Sequence, residues 1–101
     1  MTFYGAMRYG YGADNVLSQL ASMEIERDSI TFYTLGGKIF LKKEQVARIS
    51  KWLRFFPVGI TVDHTASDQP DLLNFWTFRT RSIKRYCKEN GYPFPEPSEL
   101  L

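Results

Sequence analysis

The single histidine, His64, stands in the run VDHTASD, beside Asp63 and close in sequence to Ser67 and Asp68. These are the residue types of a nucleophilic hydrolase. Nucleophile, base and orienting acid must converge on one reacting atom from separate directions, and three groups compressed into one turn of chain do not achieve this. A surface histidine at the end of a strand is the simpler account. A hydrolase centred on His64 would have to lose its activity in His64→Ala with the fold intact. One histidine and one cysteine, Cys87, are too few for a zinc site without carboxylates or a second chain. Gly36-Gly37 does not link a strand to a helix as a phosphate loop does, and Glu24 and Glu26, on one side of an extended segment, read as solvated charge. The expectation is a non-enzymatic protein with no metal and no cofactor.

The basic residues hold more promise, because their arrangement is blocked although the net charge is only +2. Residues 38–56 carry Lys38, Lys42, Lys43, Arg48, Lys51 and Arg54 against Glu44 alone, and residues 79–88 carry Arg79, Arg81, Lys84, Arg85 and Lys88 with no acid. Within RSIKRYCKENG, helical spacing puts Arg81, Lys84, Arg85 and Lys88 on one stripe, with Arg79 just before it and Ile83, Tyr86 and Cys87 on the opposite side. Such a stripe can neutralise phosphates of nucleic acid or of anionic lipid, although an ordinary solvated helix face has the same pattern. Arg79, Arg81, Lys84, Arg85 and Lys88 are therefore the candidate anion-binding or partner-binding residues.

The elements that must position these groups are mostly strands, as the 16% aromatic content suggests. TFYGAMRYGYGA, with Gly5, Gly10 and Gly12, reads as a kinked first strand or a loose arm. Asp14 offers an N-cap for a short helix in DNVLSQLASM, where Val16, Leu17, Leu20 and Met23 share a helical face. Two β-rich runs flank Gly36-Gly37, which supplies the positive φ of a hairpin turn. GITVDHT and LLNFWTF, joined by the turn-rich ASDQPD, form a looser hairpin, in which alternation sends Trp76 and Phe78 to one face and Phe75 to the other. The face bearing Trp76 is expected to pack under the closing helix, against Ile83 and Tyr86; if exposed instead, these aromatics would offer stacking surfaces for unpaired bases. Gly91 lies where a helix C-cap belongs, and Pro93 prevents continuation.

The segment KIFLKKEQVARISKWLRFF admits two paths after Leu41. Val46, Ile49, Leu53 and Phe56 follow helical spacing, which predicts a helix over 43–56 and an αββαββα two-layer sandwich. A tight turn followed by a strand predicts a barrel. The second path agrees with a resemblance. ITFYTLGGKIFLKKEQVARI through FPVGITVDHTASDQPDLLNFWTFRTRSIKRYCKENGYPF, about residues 23–94, resembles the small bacterial pleckstrin-homology-like (PH-like) domains in the pattern of its elements.

That resemblance implies an α+β fold: a PH-like antiparallel barrel or sheet closed by a C-terminal amphipathic helix. Seven strands can be assembled from 3–11, 23–26, 29–35, 38–42, 46–53, 58–65 and 72–79, with 15–22 as an inserted helix. It further implies recognition through loops, open strand edges or self-association, so a protein partner or homo-oligomer is expected first. A nucleic-acid-binding regulatory protein, using residues 79–88 with Lys42, Lys43, Arg48 and Lys51, is the alternative.

One domain over 1–94, with a proline-rich extended tail over 95–101, fits the chain length. No apolar run reaches the roughly 20 residues of a bilayer span and no signal-peptide layout opens the chain, so a cytoplasmic protein is expected, with Cys87 as a small buried thiol.

Overall fold

The computed structural model describes residues 1–11, 14–53 and 56–95, the side chains of 52, 53 and 56–58 excepted. Seven strands, β1 (Thr2–Tyr11), β2 (Asp14–Ile25), β3 (Ser29–Thr34), β4 (Gly37–Lys42), β5 (Val46–Leu53), β6 (Phe56–His64) and β7 (Leu72–Trp76), precede one helix, α1 (Thr80–Glu89). All neighbours are antiparallel, in the order β4-β3-β2-β1-β7-β6-β5. The sheet is curled into a half-barrel. Phe32 on β3 and Phe75 on β7 are separated by two intervening strands, yet their rings stand 5.9 Å apart.

The inward face follows the strand period of two. Phe3 and Met7, Met23 and Ile25, Ile30 and Phe32, Ile39 and Leu41, Ile60 and Val62, and Leu73 and Phe75 come in pairs from successive strands, and all are buried. One curled sheet leaves this face open at the side the strands do not close. Ile83 and Cys87 of α1 fill it, together with Tyr92 and Phe94 from the segment after the helix. The proline-rich tail is described as far as Pro95, and residues 96–101 lie outside the described residues.

Two helical expectations give way to strands, for the same physical reason. Residues 14–25 form β2 rather than a helix capped by Asp14. In the pairing with β1, Gly5 stands opposite Ala21 and Met7 opposite Ser18, so Gln19 and Leu20 face Ala6 alone in a β-bulge. The bulge sets the inward residues Ser18 and Ala21 three apart, a helix-like interval, and turns Leu20 outward to 70% exposure. Of the supposed apolar helix face, Val16, Leu17 and Leu20 are exposed and Met23 alone is buried.

The segment after Leu41 makes one 3₁₀ turn, Lys43–Gln45, and returns as β5, which excludes the helix over 43–56 and the αββαββα sandwich. Here Val46 pairs with His64 and Arg48 with Asp63, leaving Ala47 as the extra residue. Val46 and Ile49 thus both point inward at a spacing of three. A bulge reproduces the i, i+3 signature of an amphipathic helix.

The β3–β4 hairpin turns through Leu35 and Gly36, and Gly37, at φ +143°, is the position that requires glycine. Gly36 does not have a positive φ, so one glycine of the expected pair meets the demand. The face assignment of the last strand is reversed: Leu73 and Phe75 point to the core and the helix, while Trp76 lies outward with the Arg8 guanidinium 5.7 Å from its ring centroid. Phe78 is past the strand and 90% exposed. The last strand, expected over 72–79, ends at Trp76 because the chain turns there to enter α1.

Phe75→Ala is expected to destabilise the domain by about 3–5 kcal/mol, because it empties a buried site that the rigid sheet and helix cannot both collapse into. Chemical denaturation of the purified variant measures this directly, and a loss below about 1 kcal/mol would mean that Phe75 is not a core residue.

Candidate anion-binding site

Helix α1 owes its orientation to its two ends. At the C-terminus Gly91 adopts φ +76°, the Tyr92 N–H donates to the Cys87 carbonyl at 2.9 Å and the Gly91 N–H to the Lys88 carbonyl at 3.2 Å. This is a Schellman cap, with Tyr92 packing back on the helix. The Lys43 ammonium, from the turn between β4 and β5, donates to the Asn90 carbonyl and lies 5.3 Å from the Tyr92 ring centroid. A cation there also opposes the negative end of the helix dipole. The Tyr92 hydroxyl donates to the Glu26 carbonyl at 2.7 Å, and burial holds its pKa above the ordinary tyrosine value. The Ile49 N–H donates to the Pro93 carbonyl at 2.7 Å, fixing the segment along β5. With both faces of the helix thereby assigned, its polar side is fixed relative to β5.

Between α1 and β5 runs a shallow groove of about 480 Å³ lined by Lys51, Arg81, Lys84, Arg85, Lys88 and Glu89. Five cations thus surround one carboxylate. Lys51 comes from the first basic block and the others from the second, so two segments some thirty residues apart in sequence supply one concave basic surface. Lys51 reaches it because it pairs with the inward-facing Ile60, on the helix side of the sheet, where the strand passes α1. A second groove, lined by Ala47, Arg48, Lys88 and residues 91–95, adjoins the first through their shared Lys88.

Of the expected site residues, Arg81, Lys84, Arg85 and Lys88 come together. Arg79 does not join them: its guanidinium stands 5.2 Å from the Phe3 ring centroid, against the sheet. As N-cap residue it makes no side-chain capping bond, and the first turn of α1 carries no acid. Lys43 is committed to the helix terminus, Lys42 is exposed on β4, and Arg48 is bonded to Asp63 at 3.0 Å. Glu89 was missed because the acid-free block ends one residue before it. The membership of Lys51 was legible only as part of a basic block.

His64 is occupied elsewhere. Its Nδ1 accepts the Ala66 N–H at 3.0 Å and its Nε2 is 2.6 Å from the Pro70 carbonyl, an oxygen that can only accept, so the ring carries its proton on Nε2. Both ring nitrogens thus hold the connector between β6 and β7. Asp63, its neighbour, turns to Arg48. Among the described residues no group of three or more His, Cys, Asp or Glu side chains is placed to hold a metal ion, and no helix is long and apolar enough to cross a membrane. Tyr33 has its pKa raised chiefly by the Glu24 carboxylate.

Cys87 is fully buried, and burial pushes its thiol up to about 12. No family model, no curated protein and no solved structure matches the chain.

The buried thiol should resist Ellman's reagent at neutral pH until denaturant is added, since the thiolate is the reacting form. Because its folded pKa exceeds the ordinary value of 9.0, the stability it contributes is present below about pH 9 and falls as pH rises toward about 12. Cys87→Ala should flatten that part of the stability profile in denaturation series run across this range. His64→Ala should cost about 1–3 kcal/mol by leaving the Ala66 N–H and the Pro70 carbonyl without their partner, read as a lowered denaturation midpoint.

Proposed function

We propose that this chain is a non-enzymatic binding module on a PH-like sheet, and that it recognises an anionic partner through the polar face of α1. One observation carries the reading: Lys51 on β5 joins Arg81, Lys84, Arg85 and Lys88 around a single groove. A solvated helix face needs no cation from a neighbouring strand, whereas a site for a multiply charged anion gains from cations on two walls, which raise the local potential together. Binding of this kind would release counterions and fall with salt. A cytoplasmic setting, in which Cys87 remains a thiol, belongs to the same proposal.

A protein partner is the second reading, supported by the apolar residues on the outward side of the sheet, where Tyr4 is 75% and Leu20 70% exposed. Self-association by sheet extension draws less support. The β4 edge carries exposed Lys38 and Lys42, and the β5 edge is met at Ile49 by the Pro93 segment, whose carbonyl accepts the Ile49 N–H. Edge lysines and a covering segment are the devices by which sheets avoid pairing with other chains.

The test is retention of the purified protein on immobilised heparin together with titration of a labelled polyanion at about 50 and about 200 mM salt. Three or four phosphate-like contacts predict an affinity loss of about 10- to 100-fold between the two conditions. Arg81→Ala with Arg85→Ala should abolish most of the binding and leave the thermal midpoint nearly unchanged, since both side chains are exposed. An absence of binding at low salt would turn attention to the outward sheet face and a protein partner.

A further inference from the structure

Resting on the anionic-partner reading, we infer that the ligand is single-stranded nucleic acid, its backbone lying along the α1–β5 groove and one of its bases stacked on Phe78. Three features of the molecule lead there. The first is shape. The basic groove has two walls, α1 and β5, and at Lys88 it adjoins the largely uncharged groove beside Tyr92 and Phe94, so the cations line an elongated concavity. Arg81 to Lys88 alone span about 10 Å along the helix axis. A shallow groove between a helix and one strand suits a single flexible strand, which can bend into it; a lipid surface would meet its rims, and a stiff duplex would rest across them.

The second feature is Phe78. At 90% exposure it is the most exposed large apolar side chain among the described residues, and it stands two residues before α1, at the end where Arg81 begins the basic series. It closes no part of the core, and the buried partner its strand supplies is Phe75. An exposed phenyl ring three residues ahead of the first groove cation, Arg81, is the combination by which proteins hold unpaired bases, because every base has a face to stack while the cations follow the phosphates. The third feature is the first turn of α1, which has no capping side chain and no acid. Its amide groups and the positive end of the helix dipole add to the potential at the junction between Phe78 and Arg81. Stacking on Phe78 and phosphate contacts to the groove cations are both indifferent to base identity, so binding should be tolerant of sequence.

The experiment is a fluorescence-anisotropy titration of the full chain with a labelled oligothymidylate of about 15 nucleotides, within the usual range for such sites. A duplex of the same length and vesicles containing anionic phospholipid are titrated in parallel. The expected result is tightest binding to the single strand, with log K falling against log salt at a slope of about −2 to −3, from three or four phosphates at about −0.7 each. Phe78→Ala should weaken that binding by about 5- to 150-fold, leaving the salt slope and the thermal midpoint as in the parent.

Equal or tighter binding to the duplex or to the vesicles would overturn the inference while leaving the anionic-partner reading in place. So would a Phe78→Ala variant that binds the single strand as well as the parent. No binding to any of the three polyanions at low salt would overturn both. Arg81→Ala with Arg85→Ala separates the cases further: it should abolish binding to all three probes if the groove is the site, whereas Phe78→Ala should affect only the single strand.

Discussion

A single sheet with one apolar face has to bury that face against something, and among the described residues one ten-residue helix does it. Curling resolves part of the demand, since it brings the inward side chains of separated strands together, as with Phe32 and Phe75. What remains is an open mouth at one side of the half-barrel. Helix α1 can cover it only if the apolar side of the helix faces in along most of its length. That requirement fixes the direction of its basic side, and hence the surface on which Lys51 and the helix cations meet.

The anchoring of the helix follows from the same constraint. A short amphipathic helix is marginal by itself and is held by tertiary packing. Gly91 reverses the chain, which lets Tyr92 and Phe94 return to the core; Lys43 opposes the helix dipole and Tyr92 reaches the loop after β2. These contacts join α1 to the β2–β3 connection, the β4–β5 turn and the β5 edge. The polar groove therefore rests on a rigid support, which is what a preorganised binding surface requires.

The two bulges show how local pattern and sheet geometry can conflict. In β2 and in β5, one extra residue resets the alternation, so consecutive inward positions fall three apart instead of two. Ser18 and Ala21, and Val46 and Ile49, therefore imitate one face of a helix. For β5 the family resemblance weighed against the periodicity and agreed with the strand; for β2 nothing opposed the helical pattern, and the strand was found only in the fold. The bulges also do something a regular strand could not: they add local twist, which helps the sheet curl.

The chain by itself determined the β3–β4 hairpin, the two later strands and the closing helix, and left residues 43–56 open between a helix and a turn followed by a strand. It marked the β3–β4 turn through Gly37, the helix stop at Gly91, the buried state of Cys87 and the stripe from Arg81 to Lys88. These depend on spacing and backbone conformation over a few residues, where sequence neighbours are also spatial neighbours. Tertiary structure decided the rest: which way Trp76 and Phe75 point, that Arg79 leaves the stripe for the Phe3 ring, that His64 is consumed in holding a loop, and that Lys51 faces the helix across a groove. Each of these depends on the register between strands, or on the docking of helix on sheet. A one-residue change in either moves a side chain to the opposite face, and no local pattern records it.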